Sequence, residues 1–397
     1  MRILFKKDIL VAAVTRAMSA VSTNNTIKAI EGIRITARKD GVCLFDSYDL
    51  EKGFHSEVLA ESVEEEGAFI FNGQKMMQFV RVLPGETLTI EVEENGLAKI
   101  SGGESVFTLN TLPGEMFPST PELSGDWEFR VQGEELRDSI QKTMYAVAVN
   151  DPRPALNGIL FRFDEGHMVL AATDSYRLAV CDKEFVNGNG ERHSIVVPGK
   201  TVTELNRLLG DVREEVTIRS TRKHVLFTWK NTTFFSRLID AEYMDYEKFM
   251  PKNIQTKVYV RTEELLRAVE RASLVTESKV VGQEKSFVRL TVKENILDVY
   301  AVSMQETAHD EIELQDMEGQ ELKIGFGSKF LLDALRACDT EFIRIELVSA
   351  LISAVIYPDD TFEDEATKEK RMKRFENRGV VSETNRHLVV PLHMRES

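Results

Sequence analysis

Apolar positions in this chain recur at helical spacing, then at strand spacing, in an order that is run through three times. Ile9, Leu10, Ala13, Val14, Ala17 and Val21 share one face of a 3.6-residue helix. Behind them, residues 32–45 alternate apolar and polar around Lys39-Asp40-Gly41, which predicts a hairpin. A second amphipathic segment follows from Asn72, then further alternation such as Thr87-Leu88-Thr89-Ile90-Glu91-Val92. The first segment, beginning at Lys6, returns as QGEELRDSIQKTMYAV from Gln132 and RTEELLRAVERASLV from Arg261, about 127 residues apart. The second returns from Pro198 and from Gly327-Ser328. The hairpins keep step, with turns at Asp164-Glu165-Gly166 and Lys293-Glu294-Asn295. Thr262 with Glu263 and Glu264, ahead of Leu265 and Leu266, marks a helix start.

A repeat of this size is a whole domain, not a solenoid unit. Two helices and several hairpins per copy predict an α+β fold: three tandem domains, each with two helices packed on antiparallel sheets. The linkers, Pro113 to Pro118 and Glu242 to Pro251, are aromatic, acidic and proline-ended. They set domains at 1–121, 122–253 and 254–397. One segment breaks the repeat, a charged insertion at about 358–386 in the third copy. Its acids come early and its bases late, with Gly379 beyond, as the helix dipole and a glycine cap prefer. Phe362, Met372 and Phe375 form no stripe, so a surface helix or a partly disordered loop is expected.

Composition narrows the class. The 397 residues are 42% hydrophobic and 29% charged, as in a soluble globular chain, and no apolar run is long enough to span a membrane. The N-terminus imitates a signal peptide, but Asp8 and Arg16 interrupt it and the same segment recurs inside the chain. Cys43, Cys181 and Cys338 have no metal-ligand spacing, which fits reduced thiols and a cytoplasmic protein. The net charge of −15 argues against nucleic acid when taken as a sum. Its distribution argues otherwise, because the six repeated helices carry a slight basic excess, including Lys6, Lys7, Arg16, Lys75, Arg81, Lys142, Lys200 and Arg207.

No phosphate loop, dinucleotide fingerprint, zinc-protease or serine-hydrolase motif is present, and the seven histidines form no i, i+4 pair. Threefold repetition suits a scaffold or a closed ring better than one asymmetric catalytic centre. No cofactor, metal or catalytic residue is expected. The most distinctive string is Ala172-Thr173-Asp174-Ser175-Tyr176-Arg177-Leu178-Ala179-Val180, a polar turn between apolar flanks. It reads either as a strand end or as a pocket with Thr173 and Arg177 on its wall and Leu178 on its floor.

At this string the chain resembles the bacterial DNA polymerase III beta subunits, the replication sliding clamps. Their pattern, ATDGHRLAV, is kept at seven of nine positions, with Ser175-Tyr176 in place of Gly-His. The segments 107–113, 156–161 and 197–200, Asp245-Tyr246 with 250–253, and the ending Leu388-Val389-Val390-Pro391-Leu392 are similar too. The resemblance implies a non-catalytic processivity factor: a DNA-clamp fold whose homodimer closes head to tail into a ring. Helices would line the hole, duplex DNA would thread it without sequence readout, and polymerase, clamp loader and repair proteins would dock through short peptides.

Carried over residue by residue, the client-peptide site is Leu156, Thr173, Ser175, Tyr176, Arg177, Leu178, Met244, Lys248, Phe249, Phe330, Leu351, Ser353, Leu388, Val390, Pro391 and Leu392. Met244, Lys248 and His393 stand where the family has proline, arginine and arginine, so peptide preference is expected to differ. The ring interface maps to Lys75, Phe79, Leu83, Phe107 and Leu109 on copy one, against Leu274 and Val275 on copy three. The residues expected near DNA are Asn24, Lys75, Asn150, Arg153, Lys200 and Arg207. Two other readings compete: a clamp-fold scaffold rarely loaded on DNA, such as a specialised second copy, and an enzyme using the acidic surface.

Overall fold

The computed structural model describes residues 1–23, 25–121, 127–186, 192–276, 287–303 and 306–393. The first copy runs β1 (Arg2–Lys6), α1 (Lys7–Ala17), β2 (Gly32–Ala37), β3 (Val42–Tyr48), β4 (Lys52–Leu59), β5 (Ser62–Glu65), β6 (Gly67–Asn72), α2 (Gly73–Val82), β7 (Thr87–Val92), β8 (Leu97–Gly102) and β9 (Ser105–Asn110). The short β10 (Leu112–Pro113) follows. The second copy runs β11 (Trp127–Gln132), α3 (Gly133–Thr143), β12 (Gly158–Asp164), β13 (His167–Thr173), β14 (Arg177–Phe185), β15 (His193–Pro198), α4 (Gly199–Leu208), β16 (Glu215–Ser220), β17 (His224–Trp229) and β18 (Thr232–Arg237). The third runs β19 (Thr256–Arg261), α5 (Thr262–Thr276), β20 (Val288–Val292), β21 (Ile296–Val302), β22 (Thr307–Glu313), β23 (Asp316–Gly319), β24 (Leu322–Phe326), α6 (Ser328–Arg336), β25 (Phe342–Leu347), β26 (Ala354–Asp359), α7 (Glu365–Asn377) and β27 (Val380–Val389).

The helices form where the periodicity predicts. Helix α1 buries Leu10, Ala13, Val14 and Ala17, one apolar stripe at i, i+3, i+4 and i+7. Asn72 caps α2 by accepting the Lys75 backbone N–H at 3.0 Å. Helix α5 starts at Thr262 and buries Leu265, Ala268, Val269 and Ala272.

The chain divides into two compact units. One comprises 1–134 with 203–238, the other 135–202 with 239–397. Every strand pairing described is antiparallel. The first unit holds a five-stranded sheet, β5-β1-β7-β8-β9, and a nine-stranded one, β10-β6-β2-β3-β4-β18-β17-β16-β11. Strands of two copies meet at β4 and β18, where Phe234 opposes Phe54 and Phe235 opposes Gly53. A Cβ at Gly53 would lie 2.1 Å from Phe235 Cζ, so only glycine leaves room for that ring.

The second unit holds the nine-stranded β15-β12-β13-β14-β27-β26-β25-β19-β23 and the four-stranded β22-β21-β20-β24. Its copies meet at β14 and β27, registered from Arg177 opposite Val389 to Glu184 opposite Ser382. Helices α5 and α6 pack over a core that includes Leu265, Val269, Leu290, Val299, Phe326, Leu331, Leu335 and Ile343.

The insertion is shorter than expected. Strand β26 runs to Asp359 and β27 begins at Val380, so the added chain is 360–379, and Thr384, Asn385 and Arg386 are strand residues. The equivalent hairpins, β8–β9 and β17–β18, turn through Gly103-Glu104 and Lys230-Asn231. The added chain is ordered as a helix and not a loop. Asp364 caps α7, accepting the Thr367 N–H at 2.6 Å, and Gly379 ends it at φ +68°. No α7 side chain is buried, but Phe362 ahead of it packs on Tyr259 and Phe342 at centroid distances of 5.3 and 5.9 Å.

Helix α7 also reaches a buried ionic cluster. Glu135 and Lys183 are fully buried and bonded to each other. Asp138 lies 2.6 Å from Lys183 and 3.0 Å from Lys142, and Lys142 also bonds Glu383 and Asp339. Lys142, a surface base in the sequence pattern, is therefore buried and committed. Burial alone pushes the Asp138 carboxyl up, but the two lysines outweigh it and hold it at about 2. Glu135, Asp138 and Glu383 bring carboxylate oxygens within 4.8 Å of one another, and lysine ammonium groups already occupy that space. Helix α7 adds Arg374, 3.8 Å from Asp138, and the residue just after it, Arg378, lies 2.8 Å from Glu135. Removing one partner of a buried pair is more harmful than its net worth. We expect Arg378→Gln to lower stability by about 1–2 kcal/mol in urea titrations, because Glu135 keeps Lys183. Lys373→Gln on the exposed face should stay within about 0.5 kcal/mol. Equal effects of the two substitutions would contradict this account.

Candidate functional site

The string from Thr173 to Leu178 is the tight connection between β13 and β14. Asp174 Oδ1 accepts the backbone N–H groups of Tyr176 at 3.0 Å and Arg177 at 3.1 Å. This side-chain turn forces Ser175 to φ +75°. The left-handed conformation explains why the family pattern has glycine there. Ser175 accepts it with help from Arg153, whose Nη2 donates to Ser175 Oγ at 2.7 Å.

Strand β27 brings the C-terminus to this turn. Leu178 opposes Leu388, and the Val390 N–H donates to the Tyr176 carbonyl at 2.9 Å. One residue past Pro391, the Leu392 N–H donates to the Gly325 carbonyl at 2.8 Å, beside the start of α6. Phe330 of α6 then stacks on Tyr176, with centroids 5.4 Å apart and planes at 7°. The turn, the C-terminal segment and α6 therefore converge.

The side chains divide into floor, wall and rim. Leu156, Leu178 and Leu388 are core residues, and the latter two pack with Leu160, Val180, Tyr246 and Val355. They can only floor a cleft. Thr173 is buried and spends its hydroxyl on the Arg177 carbonyl at 2.7 Å. Met244, Phe330, Ser353, Val390, Pro391 and Leu392 are half-buried, and Ser175 and Lys248 are exposed. Three large apolar side chains stand out: Tyr176 at 50% exposure, Phe249 at 59% and Leu351 at 66%. Lys248 pairs with Asp245 at 3.3 Å.

Arg177 is not the open wall residue that the sequence implied. Its Nε donates to Asp174 at 3.0 Å and its Nη1 to Asp333 at 2.5 Å. The guanidinium lies 5.1 Å from the ring centroids of both Tyr145 and Phe330. Sequence reasoning missed Asp333, Tyr145 and His387. Asp174 alone had a signal, its place in the quoted string.

Known proteins share this architecture. The profile for the DNA polymerase III beta subunit N-terminal domain matches residues 1–121, that for the central domain 130–245, and that for the C-terminal domain 247–372. The beta sliding clamp of Halalkalibacterium halodurans is 32% identical over 372 residues, covering 91% of this chain and 96% of that protein. The chain belongs to the DNA polymerase III beta-subunit family. The Bacillus subtilis beta sliding clamp is 31% identical over 362 residues, covering 88% and 94%. Among solved structures, the Bacillus subtilis DNA polymerase sliding clamp superposes with a TM-score of 0.86 at 28% identity, covering all of both chains. A Pseudomonas aeruginosa clamp bound to griselimycin gives 0.86 at 27% identity, covering 99% of this chain and all of that one. Sliding clamps are polymerase processivity factors, and this chain carries the clamp architecture in all three copies.

The other positions expected of a clamp have mixed environments. Lys75 and Lys200 are exposed on α2 and α4. Arg207 is 2.9 Å from Glu204 and donates to the Thr15 carbonyl, so its charge is partly spent. Arg153 grips Asp151 through two bonds of 2.9 Å, and Asn150 is exposed at φ +57°. Asn24 lies outside the described residues. Of the expected interface, Leu83, Leu109 and Val275 are buried within their own units. Phe79 stacks on Phe107 at 4.3 Å, and Leu274 is 71% exposed. Val82 and Val106, not anticipated, are exposed beside those rings in sequence. All three cysteines are free, and burial pushes the Cys43 and Cys181 thiols up to about 12.

The clamp's final strand also carries a pH-sensitive group. His387 is fully buried, and its Nδ1 lies 2.9 Å from Tyr145 Oη. Burial, aided by Lys142, lowers its pKa to about 3. Burial raises that of Tyr145, so the phenol donates to a neutral imidazole. An unfolded histidine protonates near pH 6.5, whereas this one resists to about 3. Unfolding therefore takes up a proton, and stability falls as pH drops through that window. Between pH 7.5 and 5 we expect a loss of about 2 kcal/mol in wild type, removed in large part by His387→Asn. Denaturant titrations at the two pH values check this, and an unchanged pH dependence in the variant would refute it.

Proposed function

We propose that this chain works as a homodimeric ring that encircles duplex DNA and tethers replication and repair proteins through the cleft at Tyr176, Phe330 and Pro391. Within each chain the three domains are 1–121, 122–253 and 254–397. The observation that carries the cleft is the hydrogen bond from Val390 to Tyr176, which joins the C-terminal segment to the TDSYR turn. Exposed Tyr176, Phe249 and Leu351 supply the apolar surface that an extended peptide with one or two hydrophobic anchors needs. The griselimycin-bound relative is an example of a clamp in this family that holds a ligand. Burial at about 25 cal/mol per Å², less ordering costs, supports binding near micromolar and hence exchange of partners.

Ring closure follows from symmetry: three domains per chain leave a ring open, and two chains close it. Phe79, Phe107 and Val82 on copy one supply an apolar face, and Leu274 on copy three supplies its counterpart. Exposed Lys75 and Lys200 are the helix bases best suited to phosphate, acting without sequence readout. Asn24, Asn150, Arg153 and Arg207 complete the proposed DNA-facing set, the two arginines with their charge already shared. The work is topological and cytoplasmic, with no cofactor and no catalytic residue.

We expect Leu274→Asp to give folded monomers in sedimentation while wild type is a dimer at micromolar concentration. A monomeric wild type would sink the ring. Retention on DNA separates this reading from a scaffold rarely loaded on it. The protein, loaded on a nicked circle, should stay bound and should run off once the circle is cut. Lys75→Glu with Lys200→Glu should reduce retention several-fold with the dimer intact. Equal retention on circular and linear DNA would exclude encirclement.

The cleft is tested by truncation. Leu388 and Val389 are core residues, so removal should begin after Val390. Deleting 391–397 should abolish peptide binding by fluorescence anisotropy and leave dimerisation unchanged. Full binding by the truncated dimer would place the site elsewhere.

A further inference from the structure

The Arg177 side chain is buried at 8% exposure yet touches four groups on several elements. Asp174 belongs to the turn after β13, Asp333 and Phe330 to α6, and Tyr145 to the 3-10 turn that follows α3. Tyr145 is itself held by His387 of β27. The guanidinium is therefore a strut with a carboxylate at each end, one on the turn that carries Tyr176 and one on the helix that carries Phe330. Those two rings lie stacked with centroids 5.4 Å apart. Charge-assisted bonds of this kind are strong where water is excluded. Any shift of the 174–176 backbone away from α6 must stretch the bond to Asp333 or pull the guanidinium off the Phe330 ring.

We propose that Asp333 is a positioning residue: through Arg177 it fixes α6 against the 174–176 turn and so limits the size of the peptide side chain that the cleft admits. This rests on the cleft being the client-peptide site. The turn itself does not need Asp333, because Asp174 holds Arg177 and Tyr176 independently. Losing Asp333 frees one wall and leaves the other in place. A purely structural role would change stability and all peptides alike. A positioning role changes the ratio between peptides.

The test uses the full-length dimer and acetylated pentapeptides with two apolar anchors, identical except for Leu, Phe or Trp at the last anchor. Binding is read by fluorescence anisotropy competition and folding by thermal melts. Wild type should prefer its best anchor over Trp by about tenfold. In Asp333→Ala that ratio should fall to about threefold or less, with the dimer intact and the protein still folded at the assay temperature, the melting temperature falling because Arg177 loses one of its two carboxylates. Asp333→Asn, which keeps the shape and loses the charge, should fall between, and stands in if the alanine variant does not fold. An unchanged ratio in a folded variant overturns the role of Asp333 alone. A wild type that binds the three anchors equally also overturns it. A wild type that binds none of the peptides overturns the cleft, and this role with it.

Discussion

Everything at the cleft depends on one backbone pairing, the ladder between β14 and β27. It joins a strand of the second copy to the last strand of the third, from Arg177 opposite Val389 through Glu184 opposite Ser382. Each copy would otherwise present an open sheet edge, and an unpaired edge is both costly and hazardous. Pairing closes the edge and sets the register. Register then decides which side chains share a face, because a one-residue slip would send Leu388 and Val390 to the wrong sides. The β4–β18 seam in the other compact unit follows the same logic, with Gly53 leaving room for Phe235.

Closing such a seam brings helix faces over a sheet, and in copy two that layer is ionic. The positions aligned with Glu135 are Ile9 in copy one and Glu264 in copy three, and Glu264 is exposed. Of these three aligned positions, Glu135 alone is a fully buried charge. It needs cations, and two come from different places: Lys183 on β14 and Arg378 from the inserted helix. The insertion and the ionic layer thus explain each other. A buried ion pair is a poor source of stability compared with apolar packing but a strong penalty on misplacement. Here it ties α3, β14, β27 and the end of α7 into one arrangement.

How far the sequence went can be read from particular residues. The repeat, helices α1 through α6 and the hairpin turns were legible because they rest on local periodicity and turn chemistry. Gly379 was legible as a cap for the same reason, and its φ of +68° is what a helix C-terminus asks of glycine. Lys142 was not, because a lysine on an amphipathic helix reads as surface unless its partners are known, and they are Glu383 and Asp339, far along the chain. Leu83 and Val275 are buried within their own units, and apolarity alone does not say which core a residue serves. Arg177 stood out in the sequence, but its commitment to Asp333, 156 residues away, is a tertiary fact without a local signal.

The distribution of polar and apolar groups around the cleft has a mechanical consequence. The residues that define its shape are internally satisfied: Thr173 by the Arg177 carbonyl, Arg177 by two carboxylates, Ser175 by Arg153. They offer a visiting peptide little polar attraction. Tyr176, Phe249 and Leu351, which do face solvent, offer apolar area and few hydrogen bonds. In the proposed function such a surface would discriminate by fit more than by charge and would release what it binds. A rigid frame around a modest apolar patch is what a shared docking point needs when partners must replace one another. Tightening the patch would gain affinity for one partner at the expense of exchange among all of them, so the stiffness belongs in the frame, where Arg177 sits, and not in the contact surface.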